Sequence, residues 1–189
     1  AGSAEPYSVP TIATEPGCTP SGTPPTCIDT MTWTIPDAIA TTLKVRVRDA
    51  SYTDVSYLSA NAFKVRGVLD VTVPESGEVW YKGETTRAVA WQATGTVATV
   101  DVHYSPDNGG TWVPIVTGDG GHGAGANSEP WPAIPDEKSG TTTASQALVR
   151  VRDSDTTWFS DVTSTGAATF KIYPILTVSK PLSADRFEV

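Results

Sequence analysis

The sequence predicts an all-β protein made of tandem β-sandwiches, and three observations carry that prediction. Long helical patterns are absent, while short alternating runs such as TVDVHYS recur between clusters of Gly, Pro and Asp. Charged residues are only 18% of the chain, and Thr, Ser, Val, Gly and Pro are abundant. The chain also repeats itself. LKVRVRD at 43–49 returns as LVRVRD at 148–153, AFKVRGVLDVTVP at 62–74 as TFKIYPILTVSKP at 169–181, and TWTIPD at 32–37 as PWPAIPD at 130–136.

The offsets define the repeat. From Phe63 to Phe170 and from Leu69 to Leu176 it is 107 residues, whereas from Asp49 to Asp153 it is 104, so the variation falls in the loop after the RVRD strand. The expected organisation is the later half of one repeat over 1–67, a complete repeat over 68–174, and the first strand or strands of a following repeat over 175–189. On this expectation the sequence begins and ends inside a repeat.

Within the complete repeat about seven strands are expected, at 69–73, 86–92, 98–105, 111–116, 129–134, 147–152 and 168–173. Alternation puts Val89 and Trp91, then Val100, Val102 and Tyr104, then Val149 and Val151 on inward faces. Arg87, Thr99, Asp101, His103, Arg150 and Arg152 fall on the outward faces. His103 and His122 share no spacing and read as surface residues. The junctions FKVRGVLDV and FKIYPILTV are too short for a flexible linker, so neighbouring repeats are expected to form a semi-rigid rod.

About seven half-buried strands in roughly a hundred residues describe an immunoglobulin-like or fibronectin type III-like sandwich. Pro74, Gly77, Trp80, Gly83, Trp91, Tyr104, Asp107, Gly109 and Trp112 follow the order P-x-x-G-E-x-W-x-x-G, A-W, V-x-V-x-Y-S-x-D-x-G-x-T-W. That order resembles bacterial extracellular Ig-like tandem repeats and is similar to the KNH-like domains of cell-wall proteins. The resemblance implies a surface or matrix module and names no reaction.

SPDNGGTW at 105–112 also fits the Asp-box pattern found in sialidases. Its residues read as a turn: Ser105 ends a strand, Asp107 bonds back to turn N–H groups, Gly109 and Gly110 supply positive φ, and Trp112 packs over the turn. None of these roles is catalytic, and no enzyme activity is expected.

The other candidate residues each have a plainer competing role. Cys18 and Cys27 lie in GCTPSGTPPTC, where a local disulfide fits better than a metal site, because no histidine lies near. A disulfide implies an oxidising, extracellular or cell-surface home. Asp153, Asp155 and Asp161 are candidate calcium ligands, the only cofactor considered; turn capping and pairing with nearby arginines is the competing role. Trp80, Trp131 and Trp158 are candidate sugar-stacking residues, with Trp158 in a loop and Trp131, like Trp33, at a buried strand start as the plainer role. GDGGHGAGA aligns with the cysteine loop of the first repeat and reads as a floppy insertion.

A net charge of −8 argues against nucleic acid as partner, and no apolar run reaches the length of a membrane span. Expected partners are copies of the chain or adjacent repeats of the same chain, with surface glycans as a further class. The functional expectation is a structural or adhesive repeat region of a secreted cell-surface, filament or matrix protein, including head-to-tail assembly by strand exchange. The alternative is a spacer or carbohydrate-binding accessory module of a large secreted glycan-acting enzyme.

Overall fold

The computed structural model describes residues 17, 29–135, 140–141, 144–157, 162–166, 168–176 and 178–179. Every regular element among the described residues is a β-strand. The chain divides into two compact units, Ala1–Val65 and Arg66–Val189.

The described residues of the first unit form four short strands. β1 (Ala40–Leu43) pairs antiparallel with β4 (Phe63–Val65), setting Leu43 opposite Phe63. β2 (Arg46–Arg48) and β3 (Ser56–Leu58) form a hairpin with Val47 opposite Tyr57. Its connection turns on Asp49, whose Oδ1 accepts hydrogen bonds from the Ser51 and Tyr52 N–H groups at 2.7 and 2.8 Å. A short carboxylate side chain at the start of a turn satisfies backbone donors that would otherwise lack partners. Trp33 meets Phe63 edge-on at 6.0 Å.

The second unit is built around two sheets. β5 (Val68–Val73), β7 (Ala88–Thr94) and β10 (Gly125–Pro130) form one, in the order β10–β7–β5; the short β6 (Val79–Tyr81) lies between β5 and β7 in sequence. β8 (Thr99–Ser105), β9 (Val113–Gly120), β13 (Leu148–Asp153) and β14 (Thr163–Thr165) form the other, in the order β14–β13–β8–β9. β11 (Gly140–Thr141) and β12 (Ala144–Ser145) make a small antiparallel pair, and β15 (Lys171–Tyr173) runs parallel to β6. Val71 of the first sheet donates its N–H to Ser164 Oγ of the second at 3.0 Å.

The predicted inward residues fill the space between the sheets. Val89, Val100, Val102 and Val151 are fully buried, and Trp91, Tyr104 and Val149 are at most 5% exposed. Each such side chain contributes about 1.5–3 kcal/mol relative to exposure. Trp80 is also fully buried, packed against Phe170 at 5.0 Å and Trp131 at 5.8 Å. The short strands β6 and β15 thus deliver an aromatic cluster to one end of the core.

Several strand expectations need correction. The strand expected at 129–134 runs from Gly125 to Pro130 instead. Pro132 and Pro135 have no N–H to give a ladder, so WPAIP folds irregularly while still burying Trp131 and Ile134. The strand expected at 168–173 is the shorter β15, Lys171–Tyr173, and β14 at Thr163–Thr165 stands ahead of it as a strand not expected from the sequence. β6 was not anticipated; three residues between Gly77 and Gly83 give too little alternation to read.

The two units share a hydrogen-bonding register. Arg46 opposite Leu58 becomes Arg150 opposite Thr165, and Arg48 opposite Ser56 becomes Arg152 opposite Thr163. Leu43 opposite Phe63 becomes the bridge between Ala147 and Phe170. The loop closures match as well: Asp49 N–H to Val55 O corresponds to Asp153 N–H to Val162 O, and Ser59 N–H to Val45 O to Gly166 N–H to Val149 O. The positions from Leu43 to Asp49 move by 104 residues and those from Val55 to Phe63 by 107, the offsets of the sequence repeat.

Candidate functional site

The SPDNGGTW hairpin is a closed set of hydrogen bonds. Ser105, fully buried at the end of β8, donates Oγ–H to Asp107 Oδ1 at 2.8 Å and accepts the Gly109 N–H at 2.7 Å. Asp107 accepts the Thr111 N–H on Oδ1 at 2.7 Å and the Thr111 hydroxyl on Oδ2 at 2.9 Å. These donors, the Thr111 N–H foremost and then Ser105, hold the Asp107 carboxyl below the usual carboxylate range. Positive φ falls on Asn108 (58°) and Gly109 (90°) rather than on Gly110. Gly110 is needed for space, since a Cβ there would stand 2.9 Å from Asp107 Oδ2. Trp112 lies over the turn, 3.7 Å from the place of a Gly109 Cβ.

Beside the hairpin, the outer face of the four-stranded sheet carries a polar layer. Asp101 and His103 of β8 stand directly opposite Arg152 and Arg150 of β13. Arg152 donates from Nε and Nη2 to Asp101 Oδ2 at 3.2 and 3.0 Å, and the Gly118 N–H donates to Asp101 Oδ1 at 2.9 Å. The Arg150 guanidinium lies 4.2 Å from the Trp112 ring centre. Asp101 and His103 are only 5% and 7% exposed, which corrects the expectation of a surface His103. β8 is an interior strand of its sheet, and long arginine side chains from β13 lie on the face that alternation marks as outward. Burial, followed by the charges of Arg150 and Arg152, holds the His103 imidazole below its ordinary pKa.

A second cluster sits where the chain crosses from β9 in one sheet to β10 in the other. His122 Nε2 lies 2.6 Å from Asp119 Oδ2, and the His122 ring meets Trp91 of β7 at 4.9 Å. The hydrogen bond with His122 is the chief cause holding Asp119 low. Burial, then the Asp119 charge, raises the Glu129 carboxyl on β10. Asn127 Nδ2 donates to the Gly123 and Gly125 carbonyls at 2.9 and 3.0 Å. The glycine-rich stretch is therefore held by a polar brace, not floppy, and His122 is half-buried. Structurally these groups fasten the crossover between the sheets.

The aspartates after β13 are occupied as turn caps. Asp153 Oδ1 accepts the Asp155 N–H at 2.9 Å, and Asp155 Oδ1 accepts the Thr157 N–H at 2.8 Å. Burial, opposed by the Asp155 N–H, raises the Asp153 carboxyl. No group of three or more metal-ligating side chains occurs among the described residues. Asp161, Trp158, Cys18 and Cys27 lie outside the described residues. Trp80 and Trp131 have their rings in the core and present no face to a sugar.

No protein-family model matches the chain, and no curated protein matches it either. No helix among the described residues is long and apolar enough to cross a membrane. What sequence inspection missed is the pairing of D-x-H on β8 with R-x-R on β13. The signal was present, because both motifs occupy the outward phase of strands that alternate cleanly.

Proposed function

We propose that this chain is a segment of a secreted structural or adhesive protein, an array of Ig-like sandwiches forming a semi-rigid rod at the cell surface, in a filament or in an extracellular matrix. The observation that carries this reading is the common register of the β2–β3 and β13–β14 hairpins, displaced by the offsets of the sequence repeat. A repeated backbone pattern with repeated packing residues belongs to arrays of modules.

The sheet order supports the finer fold assignment. Taking β5, β7 and β10 as strands A, B and E, and β9, β8, β13 and β14 as C′, C, F and G, gives the three-plus-four arrangement of a fibronectin type III-like sandwich. The polar clusters also fit a structural role. Each ties neighbouring strands together, and the Asp-box-like hairpin spends its carboxylate on its own turn. Burial of Trp80 and Trp131 favours this reading over a carbohydrate-binding accessory module.

Electron microscopy of the native assembly tests the proposal. Rods, filaments or a lattice with a spacing set by these units are expected. Isolated molecules dominated by a large globular head would move the function elsewhere and leave these units as its spacer.

A further inference from the structure

We infer that Asn108 is a site of spontaneous covalent modification, losing its side-chain amide through attack by the Gly109 nitrogen, and that Ser105 holds the site inert while the hairpin is closed. The reaction class is succinimide formation followed by hydrolysis, with water as the only co-reactant. The inference goes beyond the array reading and does not depend on it.

Asn108 and Gly109 lie side by side at the tip of the SPDNGGTW hairpin, a pair suited to this chemistry. Gly109 has no side chain to shield its nitrogen, and Asn108 is exposed to water. In the first step the Gly109 nitrogen forms a bond to Asn108 Cγ and closes a ring. The Cγ–Nδ2 bond breaks, and Nδ2 leaves as ammonia, carrying the proton that the Gly109 nitrogen gives up. Water then opens the ring at either carbonyl, so the product is aspartate or isoaspartate. Both products place a new carboxylate next to Asp107, and the isoaspartate also adds a methylene to the backbone.

The closed hairpin ties down the attacking nitrogen. The Gly109 N–H is donated to Ser105 Oγ at 2.7 Å, and Ser105 is itself fully buried and anchored to Asp107 Oδ1 at 2.8 Å. Asn108 sits at φ 58°, with its own N–H donated to the Gln146 carbonyl at 2.8 Å. The place of a Gly109 Cβ is 3.7 Å from Trp112 and 4.0 Å from Leu148, so Gly109 is packed on that side. Attack needs the Asn108–Gly109 peptide to rotate, which turns the nitrogen toward Cγ and surrenders its bond to Ser105. Local opening of the hairpin therefore sets the rate, not the intrinsic reactivity of the pair. The new charge beside Asp107 opposes reclosure, so each opening that reacts leaves a permanent mark.

Peptide mass spectrometry of the 189-residue chain, incubated at mildly alkaline pH, tests this. It reads ammonia loss and isoaspartate at Asn108, with Asn127 in the same sample as the reference. The reaction is expected to be slow in the folded chain and fast in guanidinium chloride. Ser105→Ala, verified as folded by tryptophan fluorescence, should speed modification of Asn108 by about tenfold and leave Asn127 unchanged. Asp101→Ala supplies the comparison, because it strands Arg152 and the Gly118 N–H away from the hairpin. It should lower the denaturation midpoint yet leave Asn108 close to the unaltered rate. Equal rates with and without denaturant, Ser105→Ala no faster than the unaltered chain, or acceleration that follows the lost stability of both variants alike would each overturn the inference. The comparison with and without denaturant needs no variant, so it decides the matter even where Ser105→Ala does not fold.

Discussion

Arg152 grips Asp101 from the directly opposite position on the neighbouring strand, and the same carboxylate accepts the backbone N–H of Gly118 on the strand beyond. One buried side chain thereby couples three adjacent strands of the four-stranded sheet. Asp101→Ala should destabilise the second unit by about 2–4 kcal/mol, since it strands Arg152 and a backbone donor at once. Asp101→Asn keeps an acceptor for Gly118 and should cost clearly less. Chemical denaturation of both variants measures the difference, and equal costs would mean that the retained acceptor for Gly118 contributes nothing beside the charge pair.

Ser105→Ala should cost about 1–2 kcal/mol, because the hydroxyl is fully buried and bonded on both its donor and acceptor sides. The loss should appear as a lower denaturation midpoint with an unchanged slope. If the midpoint stays in place, the hairpin is held by its backbone conformation and not by this residue.

His103 makes the second unit sensitive to acid. Its folded pKa is lowered by burial, so in the range below about 6.5 the unfolded chain takes up a proton that the folded one resists. The unfolded state then binds more protons, and stability falls as pH falls through that range. His103→Gln removes the titration and should flatten the loss between neutral pH and about pH 5. Melting temperatures at several pH values report it; parallel curves for both proteins would refute the assignment.

Trp80→Ala should be the most damaging of these substitutions, at about 3–5 kcal/mol. The indole is fully buried between Phe170 and Trp131, and β6 offers no other large side chain to the core. Trp80→Phe should recover more than half of the loss. A cost below about 1 kcal/mol for the alanine variant would mean that this end of the core is not a packed element.

The inward valines, Trp91 and Tyr104 were legible in the sequence because a half-buried strand writes its burial directly as period-two alternation. The repeat was legible too, since two copies must place like residues at like positions. Asp101 and His103 were not, because alternation records the face a residue occupies and not what a neighbouring strand lays over that face. The brace of Asp119, His122 and Glu129 was hidden for another reason. Its members come from a strand end, a loop and the next strand, and the backbone crossing between sheets brings them together. β6 escaped notice because three residues cannot display a period.

The matched hairpins turn the molecule into its own reference state. Val47 and Val151 are the same residue in the same ladder position, one open to water and one sealed. Hydrogen exchange at the two backbone amides, followed in one sample under one set of conditions, compares a bare hairpin with a roofed one. The ratio of their protection factors gives the combined stabilisation that a covering layer and a second flanking strand confer on this hairpin, since β13 also pairs with β8. No mutation is needed, and the solvent is the same for both halves of the comparison.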